Sequence, residues 1–208
     1  VLASLLSPDR ILESFGLIGL VLVVFAESGL LVGFFLPGDS LLFTAGAISA
    51  GVLEGSLDLR LNIWSVVVGV FVAAVVGDQV GYLFGRRVGP ALFGRPDARL
   101  FRQEHVRAAH HFFERHGPKA IVLARFVPVV RTFTPIVAGI GEMRYRTFLA
   151  FNVVGGLIWG VGVTMLGYGF GGVPWVRRHL ELTVVAVITI SLLPIVVEFL
   201  RLRARRSV

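Results

Sequence analysis

From Thr147 to Val176 the chain runs for thirty residues without a charged side chain. That exceeds the roughly 20 apolar residues needed to cross about 30 Å of hydrocarbon, so a transmembrane helix is expected there. A second stretch, Leu61 to Gly85, is broken only by Asp78. A third, Leu182 to Val197, is uncharged and extends to a span with Glu198, Phe199 and Leu200; Pro194 should kink it near its end. Composition agrees, with 55% hydrophobic residues, 16% charged and a mean hydropathy of +0.82. Soluble domains carry about 25% charged residues. The same figures exclude a disordered chain, and the lack of cysteine excludes disulfide scaffolds and thiolate metal sites. At 208 residues there is room for one helical membrane domain.

The remaining apolar stretches are too short to span. Ser14–Ala26, Ser28–Gly38 and Ser40–Leu53 are separated by Glu27 and Asp39, and the pieces between Lys119 and Glu142 are cut by Arg125 and Arg131. Broken at Pro37-Gly38 and at Pro128 and Pro135, they predict two re-entrant hairpins that face each other, because turns at that depth need cover from protein or a wet cavity. Residues 11–26 fit either a full crossing or the first hairpin arm, which leaves the side of the N-terminus open. Glu27 precedes Pro37, and Arg125 precedes Pro135, by ten residues each. Gly81-Tyr82-Leu83-Phe84-Gly85 is echoed by Gly167-Tyr168-Gly169-Phe170-Gly171. The expected architecture is all-α and integral to the membrane, an inverted repeat of hairpin plus transmembrane helix. Residues 11–85 form the first half, 86–118 a cytoplasmic amphipathic connector and 119–172 the second half. A C-terminal transmembrane helix (180–200) and a basic tail (201–208) complete the single domain.

Net charge is +7, and Arg supplies nineteen of the twenty basic residues. Eight basic residues fall in 86–119 and four in 201–206, so both segments, and the C-terminus, are expected in the cytoplasm. Arg177 and Arg178 dissent. With so little soluble scaffold, nucleic-acid binding is not expected. The first fifteen residues show no basic n-region or A-x-A site, so no signal peptide is expected.

Glu27, Asp39, Asp78, Arg125 and Arg131 are the ionisable groups set inside apolar sequence. Each would cost about 2.5–3.5 kcal/mol at mid-depth unless paired or hydrated. Internal ion pairing is one explanation. The sorting by sign suggests another: the first hairpin carries carboxylates, the second guanidinium groups. Brought together, they form an anion site, since Arg is permanently charged and grips phosphate with two prongs, beside carboxyls able to take up a proton. Proton uptake on Glu27 or Asp39 would release the arginines for an anion, and one charge moved through the field supplies about 2.3 kcal/mol per 100 mV.

Three motifs occur in order: E-S-G-L-L-V-G-F-F-L-P-G-D-S holding Glu27, Pro37, Gly38 and Asp39; Gly77-Asp78-x-x-x-Tyr82-x-x-Gly85-Arg86; and Arg125-Phe126-x-Pro128-x-x-Arg131 with Ala138-Gly139. Over residues 10–175 the chain resembles the DedA membrane-protein family, which shares its core with the eukaryotic VTT-domain lipid scramblases. The resemblance implies a bacterial inner-membrane protein with two facing hairpins. It also implies a flippase role, returning undecaprenyl phosphate or a related polyprenyl phosphate to the cytoplasmic leaflet at the expense of the proton-motive force. By the same resemblance the family's two essential acids match Glu27 and Asp39, and its two essential arginines Arg125 and Arg131. Asp78, Tyr82, Arg86, Pro37, Gly38, Pro128 and Pro135 support them. The proline the family usually has before Pro37-Gly38 is missing from Gly33-Phe34-Phe35-Leu36.

Gly77, Gly81, Gly85 and Gly89 make a stripe suited to close helix packing. Gly167 to Gly172 matches G-x-G-x-x-G but follows no strand, so no nucleotide site is expected. His105, His110, His111 and His116 lack a zinc-ligand pattern, and neither metal nor cofactor is expected. Trp64, Trp159, Trp175 and Tyr145 read as interface anchors or packing. The expected partners are the lipid phosphate, membrane lipids and protons; a homo-oligomer is allowed. An enzyme is not expected, since a lipid phosphatase would need a His nucleophile near Arg125 and none is there. The alternatives are a proton-coupled exporter of small cations or drugs, which Arg125 and Arg131 oppose, and an energy-independent phospholipid scramblase.

Overall fold

The computed structural model describes residues 8–29, 38–51, 61–93, 117–171 and 173–174. Pro37, most of the expected connector, the histidines, Trp175 and the segment expected to form the C-terminal helix and tail lie outside the described residues. Within them the chain is all helix, with no strand.

Helix α1 (Pro8–Gly29) breaks at Gly16, where φ is +55° and ψ −140°, a backbone that suits glycine. Its apolar part runs from Phe15 to Gly29, and α2 (Gly38–Ser49) is shorter still. Helix α3 (Ile63–Phe93) opens on an Asn62 cap whose Oδ1 accepts the backbone N–H groups of Trp64 (2.9 Å) and Ser65 (3.3 Å). It does not stop at Gly85 but carries Arg86 and Arg87 into the expected connector. Helices α4 (Lys119–Ala124) and α5 (Pro128–Ile140) are short. Helix α6 (Tyr145–Gly156) passes through a π turn (Leu157–Val161) into α7 (Gly162–Gly171).

Among the described residues, two segments are long and apolar enough to cross a membrane, Ile63–Gly89 and Tyr145–Gly171, each of 27 residues. At 1.5 Å per residue each reaches about 40 Å, more than the hydrocarbon thickness. Along α3, Val68, Val72, Val76 and Val80 stand exposed in a row, as Val154, Leu157, Ile158 and Leu166 do along α6–α7. Water would oppose so much contiguous apolar surface, whereas lipid accepts it.

Helices α1 and α5 both pack along α3, α2 packs along α7, and α4 along α6. One core gathers Leu20, Val24, Leu41, Leu42, Val70 and Trp159; another gathers Tyr82, Ala120, Ile121, Ala138 and Phe148. Two crossings are built alike. A Cβ on Gly46 of α2 would strike the Thr164 carbonyl oxygen, and one on Gly167 of α7 the Phe43 carbonyl oxygen. At the other crossing, Gly139 of α5 would strike the Tyr82 carbonyl oxygen and Gly85 of α3 the Ile136 carbonyl oxygen. Each obstructing carbonyl lies three residues before the partner glycine, so the two pairs of helices meet in one register.

The two 27-residue spans begin 82 residues apart, and Gly85 and Gly167, also 82 apart, take the same place in their crossings; aligning Gly81 with Gly167 gives 86 instead. Pro135, expected to break the second hairpin, does not interrupt its helix. It lies inside α5, where its ring packs against Gly81, while Pro128 takes the first turn of that helix, where its missing N–H costs nothing. The glycine stripe of α3 works as packing surface: Gly77 receives Phe25 and Ser28 of α1, and Gly81, Gly85 and Gly89 receive α5.

Candidate functional site

The charged residues of both sets of short helices converge. Glu27 comes from the last turn of α1, Asp39 from the first turn of α2, Asp78 from the middle of α3, Arg125 from the end of α4 and Arg131 from the first turn of α5. Glu27, Asp78, Arg125 and Arg131 are buried, and Asp39 nearly so.

Arg131 holds two acids at once. It is ion-paired with Glu27, and its Nη1 donates to Asp39 Oδ1 at 2.8 Å. The same Oδ1 accepts the indole N–H of Trp159 at 2.7 Å. Arg125 is ion-paired with Asp78 and donates to Asn152 Oδ1, and Asn152 Nδ2 donates to the Val75 carbonyl at 3.1 Å. Trp159 joins the two groups. Its ring centroid lies 4.6 Å from the Arg131 guanidinium carbon and 5.9 Å from that of Arg125, within cation–π range.

Two glycines make this possible. A Cβ on Gly38 would collide with the Glu27 carboxylate, and one on Gly155 would come within 2.8 Å of Arg125 Cδ and Nε. With all five groups ionised the cluster holds three carboxylates and two guanidinium groups, one negative charge in excess. Several buried polar atoms have no hydrogen-bond partner among the described residues, Glu27 Oε2, Arg125 Nε and Arg131 Nε included. An unpaired buried charge or polar atom is costly, so this arrangement suits a site that exchanges partners better than one built for rigidity alone.

A domain model, the VTT domain, matches residues 36–169, spanning Asp39, Asp78, Arg125 and Arg131. Protein DedA of Escherichia coli strain K12 is 49% identical over 182 residues, covering 88% of this chain and 81% of that protein. The chain belongs to the DedA family. An uncharacterized membrane protein of Mycobacterium leprae is 46% identical over 189 residues (91% of this chain, 82% of the relative). One of Mycobacterium tuberculosis strain H37Rv is 45% identical over 203 residues (97% and 87%). No solved structure matches the chain.

Not every residue of the DedA motifs joins the charged cluster. Asp78 does; Tyr82 and Arg86, one and two turns along the same helix, do not. The Tyr82 hydroxyl donates to the Met143 carbonyl at 2.6 Å, its ring stacks on Phe148 at 4.4 Å, and Arg86 Nη1 donates to that hydroxyl at 3.3 Å. They tie α3 to the start of α6. Pro128 starts α5 three residues before Arg131, and Pro135 serves packing. Two site residues escaped the sequence reading. Trp159, expected as an interface anchor or packing, does pack in the core at 2% exposed, and its indole is in addition hydrogen-bonded to Asp39. Asn152 carried a legible signal: it is the lone carboxamide in the uncharged run from Thr147 to Val176, where a buried amide must find partners.

Proposed function

We propose that this DedA-family membrane protein is a transporter that moves an anionic polyprenyl-phosphate lipid, of the undecaprenyl phosphate class, across the bacterial inner membrane with the aid of the proton-motive force. The observation that carries this reading is the pairing of two buried arginines with internal carboxylates. Arginine grips phosphate through paired N–H donors, so a phosphate group is the natural competitor for the carboxylates that now hold Arg125 and Arg131. A proton arriving on Glu27 or Asp39 weakens the hold on Arg131 and admits the phosphate. Loss of that proton expels it. Binding is thereby linked to proton movement without any covalent step, so no enzyme activity is invoked.

The two matched glycine crossings support an inverted repeat in which α1–α2 and α4–α5 are re-entrant hairpins on either side of α3. The basic residues of the connector and the tail then face the cytoplasm, with the C-terminus. A cation exporter would need its carboxylates free of guanidinium groups; here Arg131 occupies both Glu27 and Asp39.

The test is leaflet exchange of undecaprenyl phosphate in proteoliposomes, comparing the parent chain with the Arg125→Ala, Arg131→Ala double variant. Exchange should be lost in the double variant. Undiminished exchange would refute the phosphate-binding role.

A further inference from the structure

We propose that Asp39, rather than Glu27, is the carboxyl that exchanges its proton with water, and that Trp159 is the positioning residue that keeps hold of Asp39 when the proton arrives. This rests on the proton-linked reading above and sharpens it.

The two acids differ in access. The Asp39 side chain is 14% exposed and that of Glu27 2%, with Gly38 pressed against the Glu27 carboxylate so closely that no Cβ would fit. They also differ in partners. Glu27 is ion-paired with Arg131 through Oε1, and its Oε2 is buried with no hydrogen-bond partner among the described residues. Asp39 Oδ1 accepts from two donors of different kinds, the Arg131 guanidinium and the neutral Trp159 N–H. Protonation of Asp39 removes the Coulomb part of the first bond. The second needs only an oxygen lone pair, which the carbonyl oxygen of a protonated carboxyl retains. Proton uptake therefore loosens Arg131 from α2 while α2 stays tied to the helix carrying Trp159. The loosened guanidinium is not set adrift, because the indole ring 4.6 Å away still attracts it.

The local backbone fits such a role. Trp159 sits at the centre of the π turn, a feature that recurs at functional positions within helices. The charges facing Asp39 from its neighbours are few. Arg131 comes from α5 and Glu27 from α1; α3 offers Asp78, which is paired with Arg125; α7 carries no charge, and its Tyr168 is exposed.

The test uses the full chain in phosphatidylcholine nanodiscs with Trp64→Phe and Trp175→Phe, which leave Trp159 as the sole indole. Its emission is followed across pH, with helicity and elution checked for every variant. The expected result is a pH-dependent change in Trp159 emission that persists in Glu27→Gln, disappears in Asp39→Asn and returns in Asp39→Glu. Persistence in Asp39→Asn, loss in Glu27→Gln, or no change in the parent would each overturn the assignment. Exchange of undecaprenyl phosphate is measured on the same proteins. An Asp39-dependent response without lipid exchange would refute the lipid cargo and leave the assignment of Asp39 standing.

Discussion

Arg125 and Arg131 are the same residue type, buried alike and packed around one indole, yet their surroundings differ. Arg125 faces one carboxylate and a neutral amide, and that amide is itself anchored to the α3 backbone at Val75. Arg131 faces two carboxylates from two helices, one of them the most exposed acid of the cluster. The first group is balanced and fastened to a span. The second carries surplus negative charge and joins the ends of three short helices. Arg125 is thus placed to hold the second span against the first, and Arg131 to change partners.

The largest predicted effect probes the fastened side. Asp78→Ala leaves Arg125 buried without its counter-ion, and breaking a buried pair in this way costs about 3–5 kcal/mol. Thermal unfolding in detergent should show that loss, and a double variant replacing Asp78 and Arg125 with leucine should recover most of it. At Arg131 the charge imbalance predicts a different outcome. Arg131→Gln should cost less stability than Asp78→Ala, since both freed acids can take up protons, while abolishing lipid exchange. Equal losses of stability at Asp78→Ala and Arg131→Gln would erase the contrast.

The amide is the next handle. Asn152→Ala strips Arg125 of an acceptor and should destabilise by about 1–3 kcal/mol. Replacing Gly46 or Gly139 with alanine tests whether the two crossings are equivalent. Both should lose stability to a similar degree, roughly 1–3 kcal/mol for overpacking. Unequal losses would show that the shared register is a coincidence of packing. Last is Tyr82→Phe, which removes the hydroxyl's two hydrogen bonds, to Met143 and from Arg86, each worth about 0.5–1.5 kcal/mol, and should leave exchange intact.

Much of this was legible in the sequence, for physical reasons. A long uncharged run can do little but span a bilayer, and charges inside apolar sequence must find one another, which is why Glu27, Asp39, Asp78, Arg125 and Arg131 stood out. The register between the halves was not legible. Gly-Tyr followed by Gly recurs at both Gly81 and Gly167, whereas the carbonyls that crowd each glycine put Gly85 and Gly167 in like positions. Pro135 misled because a proline disrupts a helix locally but does not always end it. Trp159 was hidden by its own chemistry: an indole suits an interface, a core or a hydrogen bond to a carboxylate equally well. Asn152 was overlooked, although an isolated amide in an apolar run is itself a clue.

The central claim is that release of Arg131 from its carboxylates admits a lipid phosphate and is driven by protons. Its most direct test is the rate of undecaprenyl phosphate exchange in proteoliposomes with and without an imposed pH gradient, in the parent chain and in Asp39→Asn. The account predicts that the gradient accelerates exchange in the parent and has no effect on the variant. Exchange that ignores the gradient in the parent, or responds to it equally in both, would contradict it.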